Sequence, residues 1–263
     1  MVKFSTLFSG SSGNCLFVSD GETRLLVDVG KSARAVEREL KKIGEEAGQL
    51  SGILLTHEHI DHIRGLCTLA KKWNLTIFAN KSTVAGASLH EAVGHKVFVF
   101  EESKNFCIGQ MEVTPICLSH DAADTTGFAI HFLREDKRIT IATDTGRITE
   151  DLARVIPGND LVYIESNYDE NMLFSGRYPY FLKRRIAGDT GHLSNLECAR
   201  LCAQAVAGGA RHLVLGHLSH ENNLPELAYM TCQDSLQQQG MIVDKDCTLD
   251  VSPRESAGRI IIF

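Results

Sequence analysis

Leu54-Leu55-Thr56-His57-Glu58-His59-Ile60-Asp61-His62 packs three imidazoles and a carboxylate into the pattern His-x-His-x-Asp-His. Such a crowd of ionisable groups is costly as scaffolding, because some of them must give up water. As ligands, the same groups mix nitrogen with hard oxygen in a way that suits Zn, Mn or Fe. The apolar run ahead of them reads as a strand, on which His57 and His59, two apart, share a face. The chain then turns, and Asp61 and His62 open a helix. Two complete ligand sets need further donors, and three residues supply them: His120 in Cys117-Leu118-Ser119-His120-Asp121, Asp144 in Ile141-Ala142-Thr143-Asp144-Thr145-Gly146, and His217 in Leu213-Val214-Leu215-Gly216-His217-Leu218-Ser219. Each ends an apolar run, where a buried strand surfaces and its loop can build a site. Singly, each reads equally as a polar residue satisfied at a strand end; together with the cluster they make a two-metal centre.

The elements that must carry these side chains alternate along the chain. Strands are expected at Val2–Phe8, Cys15–Val18 and Arg24–Val29, the last two joined through Asp20-Gly21. A helix follows over Ala33–Ile43, with Val36, Leu40 and Ile43 at helical spacing and Gly44 as its stop. Then come a strand at Gly52–Thr56, a helix at His62–Trp73, a strand at Leu75–Ala79 and a helix at Ser82–Ala92 capped by Ser82. The middle is β-rich: Lys96–Phe100, Gln110–Leu118, Thr126–Leu133 and Arg138–Thr143. A short helix near Thr149–Val155 and a strand at Leu161–Glu165 lead to the helix Ser194–Ala207, where Ser194 and Glu197 form a capping box. His212–Gly216 is a strand, Pro225–Gln238 a helix, and Arg259–Phe263 a final strand. No repeat or linker is visible, so the expectation is one α/β domain over residues 1–263, with sheets packed between helices.

With 263 residues the chain can bury a core without covalent staples, and its net charge of −6 gives no global footprint for a polyanion. Any nucleic-acid surface must therefore be local. The eight cysteines form no C-x-x-C pair and read as buried, reduced thiols. The N-terminus is too polar for a signal peptide, and no apolar run reaches membrane-spanning length, which points to the cytoplasm and no membrane partner.

The metal residues resemble the sequence motifs of the metallo-β-lactamase fold, with Asp28 in Leu25-Leu26-Val27-Asp28-Val29-Gly30 matching the first motif. The resemblance implies a four-layer αββα sandwich with metals at one edge. It implies that His57, His59 and His120 hold one metal, Asp61, His62 and His217 the other, and that Asp144 bridges. Asp28 would orient a ligand by a hydrogen bond, or else serve only as a salt-bridged or turn-capping residue. Tyr163-Ile164-Glu165-Ser166-Asn167-Tyr168 and Gly191-His192-Leu193-Ser194-Asn195 resemble segments of transfer-RNA 3′-processing nucleases. That likeness implies that Glu165 orients His192 and that His192 protonates the leaving oxygen. Phe8-Ser9-Gly10-Ser11-Ser12-Gly13-Asn14, the run Tyr178–Ile186 and Leu218-Ser219-His220-Glu221-Asn222-Asn223 resemble the YycJ (WalJ) group, described as DNA exonucleases acting from the 5′ end. The likeness runs from about Ser9 to Asn223 and implies a DNA substrate.

Two stretches bear on phosphate. The small-residue loop containing Ser11, Ser12 and Asn14 could offer backbone N–H groups as an anion nest, or be an ordinary turn. Arg177, Lys183, Arg184 and Arg185, interleaved with Tyr178, Tyr180 and Phe181, suit a nucleic-acid strand, or form a solvated helix face. Tyr178, Lys183 and Arg185 are the contacts expected there. The mechanism that follows uses a hydroxide bridging two divalent ions (Zn or Mn, with Fe also suited), oriented and deprotonated with help from Asp61, and His192 as acid. The competing readings are a thioesterase or lactonase of the same fold, since metals polarise carbonyls too, and a non-catalytic binding protein. The sequence leaves metal identity, DNA against RNA, end against internal cleavage and oligomeric state open.

Overall fold

Among the described residues, fourteen strands form two seven-stranded sheets in the computed structural model of the chain, which describes residues 1–93, 96–102 and 104–263. The first sheet takes β1 (Lys3–Phe8), β2 (Cys15–Ser19), β3 (Arg24–Val27), β4 (Gly52–Leu54), β5 (Thr76–Asn80) and β6 (Val97–Phe100). The second takes β7 (Phe106–Ile108), β8 (Met111–Cys117), β9 (Thr126–Phe132), β10 (Lys137–Ala142), β11 (Leu161–Glu165), β12 (His212–Gly216) and β13 (Thr248–Val251). The last strand, β14 (Ile261–Ile262), returns to the first sheet beside β1. From β14 through β1 and β2 to β3 the pairing is antiparallel, and from β3 to β6 it is parallel. The second sheet repeats this plan, antiparallel from β7 to β10 and parallel from β10 to β13. The duplication is one of topology, and no sequence repeat accompanies it.

Period-two alternation along the strands separates three cores. Between the sheets lie Phe4, Leu25, Leu54, Phe128, Ile141, Tyr163 and Val214. On the outer face of the first sheet, Phe17, Leu26 and Ile53 meet Val36 and Leu40 of the helix Ala33–Lys42 and Leu66 and Leu69 of the helix Leu66–Trp73. On the outer face of the second, Val162, Ile164 and Leu213 meet Leu201 of Asn195–Ala207 and Leu236 of Pro225–Gln238. Neighbours such as Leu25 and Leu26 point to opposite cores, as the pleat requires. The result is the expected αββα sandwich.

Several elements differ from the sequence reading. β4 ends at Leu54, so His57 and His59 stand on the loop behind the strand and not on it. The helix expected at His62–Trp73 is two, Ile60–Ile63 and Leu66–Trp73. Gly65 lies between them, and a Cβ there would meet Lys31 O at 2.0 Å. Backbone contact, not helix propensity, decides that segment. The helix expected at Ser82–Ala92 also breaks, into Lys81–Gly86 and Leu89–Val93, with Ser88 left-handed at φ 49°. Its cap is Asn80, whose side chain accepts from Thr83 N at 2.7 Å, and not Ser82. The strands β7 and β13 and the helix Glu170–Ser175 lie outside the sequence expectation, and the helix Tyr180–Ile186 falls where a solvated helix face was one of two readings, though it buries none of its residues. The capping box of Ser194 and Glu197 is present. All eight cysteines are free thiols. Among the described residues, no helix is long and apolar enough to cross a membrane.

Candidate metal centre

The topology sends one set of strand ends to a common edge. β1, β3 and β4 of the first sheet and β8, β10, β11 and β12 of the second run in matching senses. The residues after them are the Ser9–Asn14 loop, Asp28, the His57–His62 segment, His120, Asp144, Ser166 and His217. Carboxyl ends of parallel strands are where open α/β sheets build sites. Three of these residues leave their strands in the left-handed region: Asp28 at φ 63°, Asp144 at φ 57° and His217 at φ 51°. A non-glycine residue there costs on the order of 1–3 kcal/mol and persists only where its surroundings hold it. For Asp28 the hold is its carboxylate, which accepts from Thr56 N (2.9 Å), Thr56 Oγ1 (2.9 Å) and His62 Nδ1 (2.8 Å). For His217 it is Ser9, whose buried Oγ accepts from His217 N at 2.7 Å and pairs with the Tyr163 hydroxyl at 3.0 Å.

Three imidazoles have an acceptor behind them. His62 Nδ1 faces Asp28, His120 Nδ1 faces Gly191 O at 2.9 Å, and His57 Nδ1 faces Thr56 Oγ1 at 2.9 Å. Thr56 Oγ1 gives its own proton to Asp28, so it accepts from His57. Each ring therefore carries its proton on Nδ1 and turns the Nε2 lone pair inward, the arrangement of a ligand imidazole. His57 Nε2 is buried with no hydrogen-bond partner. An unsatisfied buried nitrogen costs about 1–3 kcal/mol, and a cation removes that cost. The ligand atoms of His57, His59 and His120 all lie within 4.8 Å of one another.

Asp144 stands between this triad and the remaining groups. Its Oδ2 is 3.2 Å from His62 Nε2 and 3.1 Å from His217 Nδ1, and its Oδ1 is 3.8 Å from His120 Nε2. Asp61 Oδ2 is 3.6 Å from His62 Nε2. Burial works to raise the Asp144 carboxyl, but the His217 and His62 imidazoles hold it well below the usual carboxylate range. Burial pushes His57 well down, with His62 adding to the effect. His62 goes the other way: burial opposes its charge, and Asp28 and Asp144 raise it well above the ordinary imidazole value. The site thus gathers buried carboxylates and imidazole nitrogens, with His57 kept unprotonated by burial, a donor set that fits a divalent cation.

His192 and Glu165 adjoin it. His192 Nδ1 is 3.0 Å from Glu165 Oε2 and 3.7 Å from Asp144 Oδ1. Glu165 is fully buried, and its other oxygen accepts from Thr145 N and Leu193 N. Burial lowers His192, yet Glu165 and Asp144 carry it up to about 9. Gly191 makes this approach possible, since a Cβ there would sit 2.1 Å from Ile186 O. The cavity over the site measures about 280 Å³ and is lined by Ser11, His59, Asp61, Arg185, His192 and His217 among others.

The expected phosphate contacts fare unevenly. In the small-residue loop the amides of Ser9, Gly10, Gly13 and Asn14 already have acceptors within the chain, which confines any anion nest to the amides of Ser11 and Ser12. Asn14 is buried, and its Nδ2 lies 3.0 Å from His62 Nε2 and 3.4 Å from Asp61 Oδ2, which makes it a support for those side chains. Ser12 donates to Glu255 at 2.7 Å, whereas Ser11 faces the cavity. Lys183 donates to Phe174 O and Gly176 O, both at 2.7 Å, and Arg185 to Asp121 at 2.6 Å. Tyr178 is half-buried outside the cavity lining. The sequence reading missed Thr56, Ser9 and Asp121. Thr56 and Asp121 are next to proposed ligands, which was their one signal; Ser9 was visible only as part of the small-residue run, with no sign that its hydroxyl reaches His217 across the fold.

A carboxylate among imidazoles, at the shared edge of two sheets in an αββα sandwich, defines a metal-dependent hydrolase. The chain belongs to the β-lactamase superfamily, whose family model, described as Beta-lactamase superfamily domain, matches residues 23–218. It is 39% identical over 243 residues to "Exodeoxyribonuclease YycJ" of Bacillus anthracis, covering 91% of this chain and 90% of that one. It is 36% identical over 256 residues to "Exodeoxyribonuclease WalJ" of Streptococcus pneumoniae, covering 95% and 94%. Among solved structures, the metallo-β-lactamase fold protein YhfI from Bacillus subtilis aligns with a TM-score of 0.75 at 16% identity, over 98% of this chain and 100% of that one. Human tRNase Z, short form, aligns at 0.66 and 16% identity, over 99% and 100%. These two likenesses concern the fold.

Proposed function

We propose that the protein is a two-metal phosphodiester hydrolase that degrades DNA from the 5′ end. The observation that carries this reading is the 3.0 Å His192–Glu165 pair beside the histidine–aspartate cluster. The cluster alone would serve any ester, but an alkoxide leaving group needs a proton, and a positioned imidazolium can give it. The names borne by relatives at 36–39% identity favour DNA. In this reading His57, His59 and His120 would hold one ion and Asp61, His62 and His217 the second, with Asp144 as a further ligand standing between the two sets. When bound, the pair of divalent ions neutralises charge on the phosphoryl oxygens and acidifies water. Asp61 orients the attacking water and takes its proton, and His192, held by Glu165, protonates the leaving oxygen. Zn and Mn both suit the donor set, with Fe a third choice. One domain over residues 1–263 carries the reaction, and eight free thiols suit a reducing, cytoplasmic compartment.

Asp28 is expected to act only through its neighbours. Asp28→Asn keeps a residue type that tolerates φ 63° but removes the charge behind His62 and Thr56. Metal affinity should fall by about 10- to 100-fold, read by competition with a chromogenic chelator, with the far-ultraviolet circular dichroism unchanged. The function itself is tested with 5′- and 3′-labelled DNA and RNA, using protein stripped with EDTA and reloaded with Zn, Mn or Fe in turn. Stripped protein should be inert, and reloaded protein should shorten DNA from its 5′ end. Faster turnover of a lactone or thioester than of any phosphodiester would reject the reading.

A further inference from the structure

The segment 253–258 runs beside the loop 9–14, and its backbone is fastened without the carboxylate of Glu255. Arg254 O accepts from Ser9 N at 3.4 Å, and Arg254 Nη2 donates to Leu218 O at 2.6 Å. Ala257 N donates to Glu39 Oε2 at 2.9 Å and Gly258 N to Thr6 O at 2.7 Å. The Glu255 carboxylate turns instead to Lys31 and Ser12. Lys31 Nζ donates to Oε1 and Oε2 at 3.0 and 2.9 Å, and Ser12 Oγ donates to Oε1 at 2.7 Å. The two charged partners differ in exposure, with the Lys31 side chain at 15% and that of Glu255 at 61%. Lys31 is also pinned: its Cγ and Cδ lie where a Cβ on Gly13 would come within 2.8 Å, and a Cβ on Gly30 would sit 1.6 Å from Asp61 O. The ammonium is therefore fixed, and the carboxylate is its outer, replaceable partner. Both supports adjoin the cavity, since Ser11, next to Ser12, and Asp61, against Gly30, line it.

We infer that Lys31 and Ser12 form a subsite for a phosphate of the DNA strand, and that Glu255 occupies it as an internal anion until substrate displaces it. The inference rests on the phosphodiesterase reading and adds a binding site and the contact that masks it. A carboxylate and a phosphodiester each carry one negative charge and present two acceptor oxygens. A phosphodiester can therefore take over the ammonium and the hydroxyl without changing the charge of the site. Lys31 first and Ser12 second hold the Glu255 carboxyl below its ordinary value, as donors suited to an anion must. The amides of Ser11 and Ser12, to which any nest in this loop is confined, belong to the same turn. An ion pair with so exposed a member is weakened by water and salt, so displacing it costs little. A free phosphate ion must do so unaided, whereas a strand already held at the metal centre presents its phosphate at high effective concentration. The mask thus favours a polymer over small anions.

The test is equilibrium binding of metal-loaded, full-length protein to a phosphorothioate-linked DNA duplex, with and without a 5′-phosphate, over a series of salt concentrations. Circular dichroism confirms that each variant is folded. Glu255→Gln keeps an acceptor for Ser12 but removes the competing charge, and it should tighten binding about two- to fivefold. Lys31→Gln should weaken binding and flatten the slope of log affinity on log salt by about 0.9, the loss of one phosphate contact. In Lys31→Gln/Glu255→Gln the gain from the Glu255 change should vanish, because no ammonium is left to unmask. A gain that persists there in full would be a long-range effect of removing one negative charge, and it would overturn the subsite. So would unchanged or weaker binding by Glu255→Gln, whose carboxylate would then be a fastener and nothing more. A gain confined to the 5′-phosphorylated duplex assigns the subsite to the terminal phosphate, and a gain with both duplexes assigns it to the backbone. A wild-type protein that hydrolyses no phosphodiester under any metal, while Glu255→Gln still tightens DNA binding through Lys31, would refute the hydrolase reading and leave the subsite standing.

Discussion

An Asp144→Asn protein should lose metal and phosphodiesterase activity by several orders of magnitude while keeping its fold. Asparagine tolerates the left-handed φ of 57° nearly as well as aspartate, so the backbone after β10 need not move. What changes is charge. The Asp144 carboxylate is 2% exposed, and its oxygens lie 3.1–3.8 Å from nitrogens of His217, His62, His192 and His120. With a neutral amide there, two cations in the proposed arrangement would face imidazoles with far less compensation and no oxygen anion between them. Plasma emission should find fewer than two ions per chain, and hydrolysis of bis(p-nitrophenyl) phosphate should fall with the metal content. The metal-free variant should also show a different dependence of stability on pH. The wild-type Asp144 carboxyl is held well below its ordinary value, so it contributes stability above the unfolded-state value, lost as pH falls through the folded one. In Asp144→Asn that acid-labile contribution is gone at every pH. A variant that keeps two ions and wild-type turnover would remove Asp144 from the centre.

How much of this was legible in the chain differs by residue. The His57–His62 segment announces itself because three imidazoles so close have few other uses, and His120, Asp144 and His217 follow as polar residues ending apolar runs. Their convergence was legible only through the family resemblance, since it depends on strands of two sheets ending at one edge. The backbone bends were not legible: nothing in Val27-Asp28-Val29 signals φ 63°, which arises because Thr56 and His62, from the loop and short helix after β4, hold the carboxylate. The Tyr180–Ile186 helix shows the converse failure. Its composition suggested cations free for phosphate, but Lys183 and Arg185 are drawn to Phe174, Gly176 and Asp121 by contacts that only the folded chain creates. Gly65 ended a helix for a reason of the same kind, the nearness of Lys31 O.

The second large effect concerns His192, and it depends on the leaving group. His192→Ala should slow DNA cleavage by about 10²- to 10⁴-fold, the range for losing a positioned acid, with metal content unchanged. The same variant should lose far less on bis(p-nitrophenyl) phosphate, because p-nitrophenolate departs without a proton. A merely structural role would depress both substrates alike. Wild-type His192 is carried up to about 9 by Glu165 and Asp144 against the effect of burial, so the acid is present at neutral pH and is lost as pH rises through that value. Activity on DNA should therefore descend on the alkaline side. Glu165→Gln removes the anion 3.0 Å from Nδ1, which lowers the imidazole value and moves the descending limb to lower pH. Bound cations shift the absolute position downward in both proteins. The displacement between them survives, because each carries the same ions. If the two DNA profiles superimpose, Glu165 is not what charges His192. If His192→Ala slows both substrates equally, the imidazole is not the proton donor.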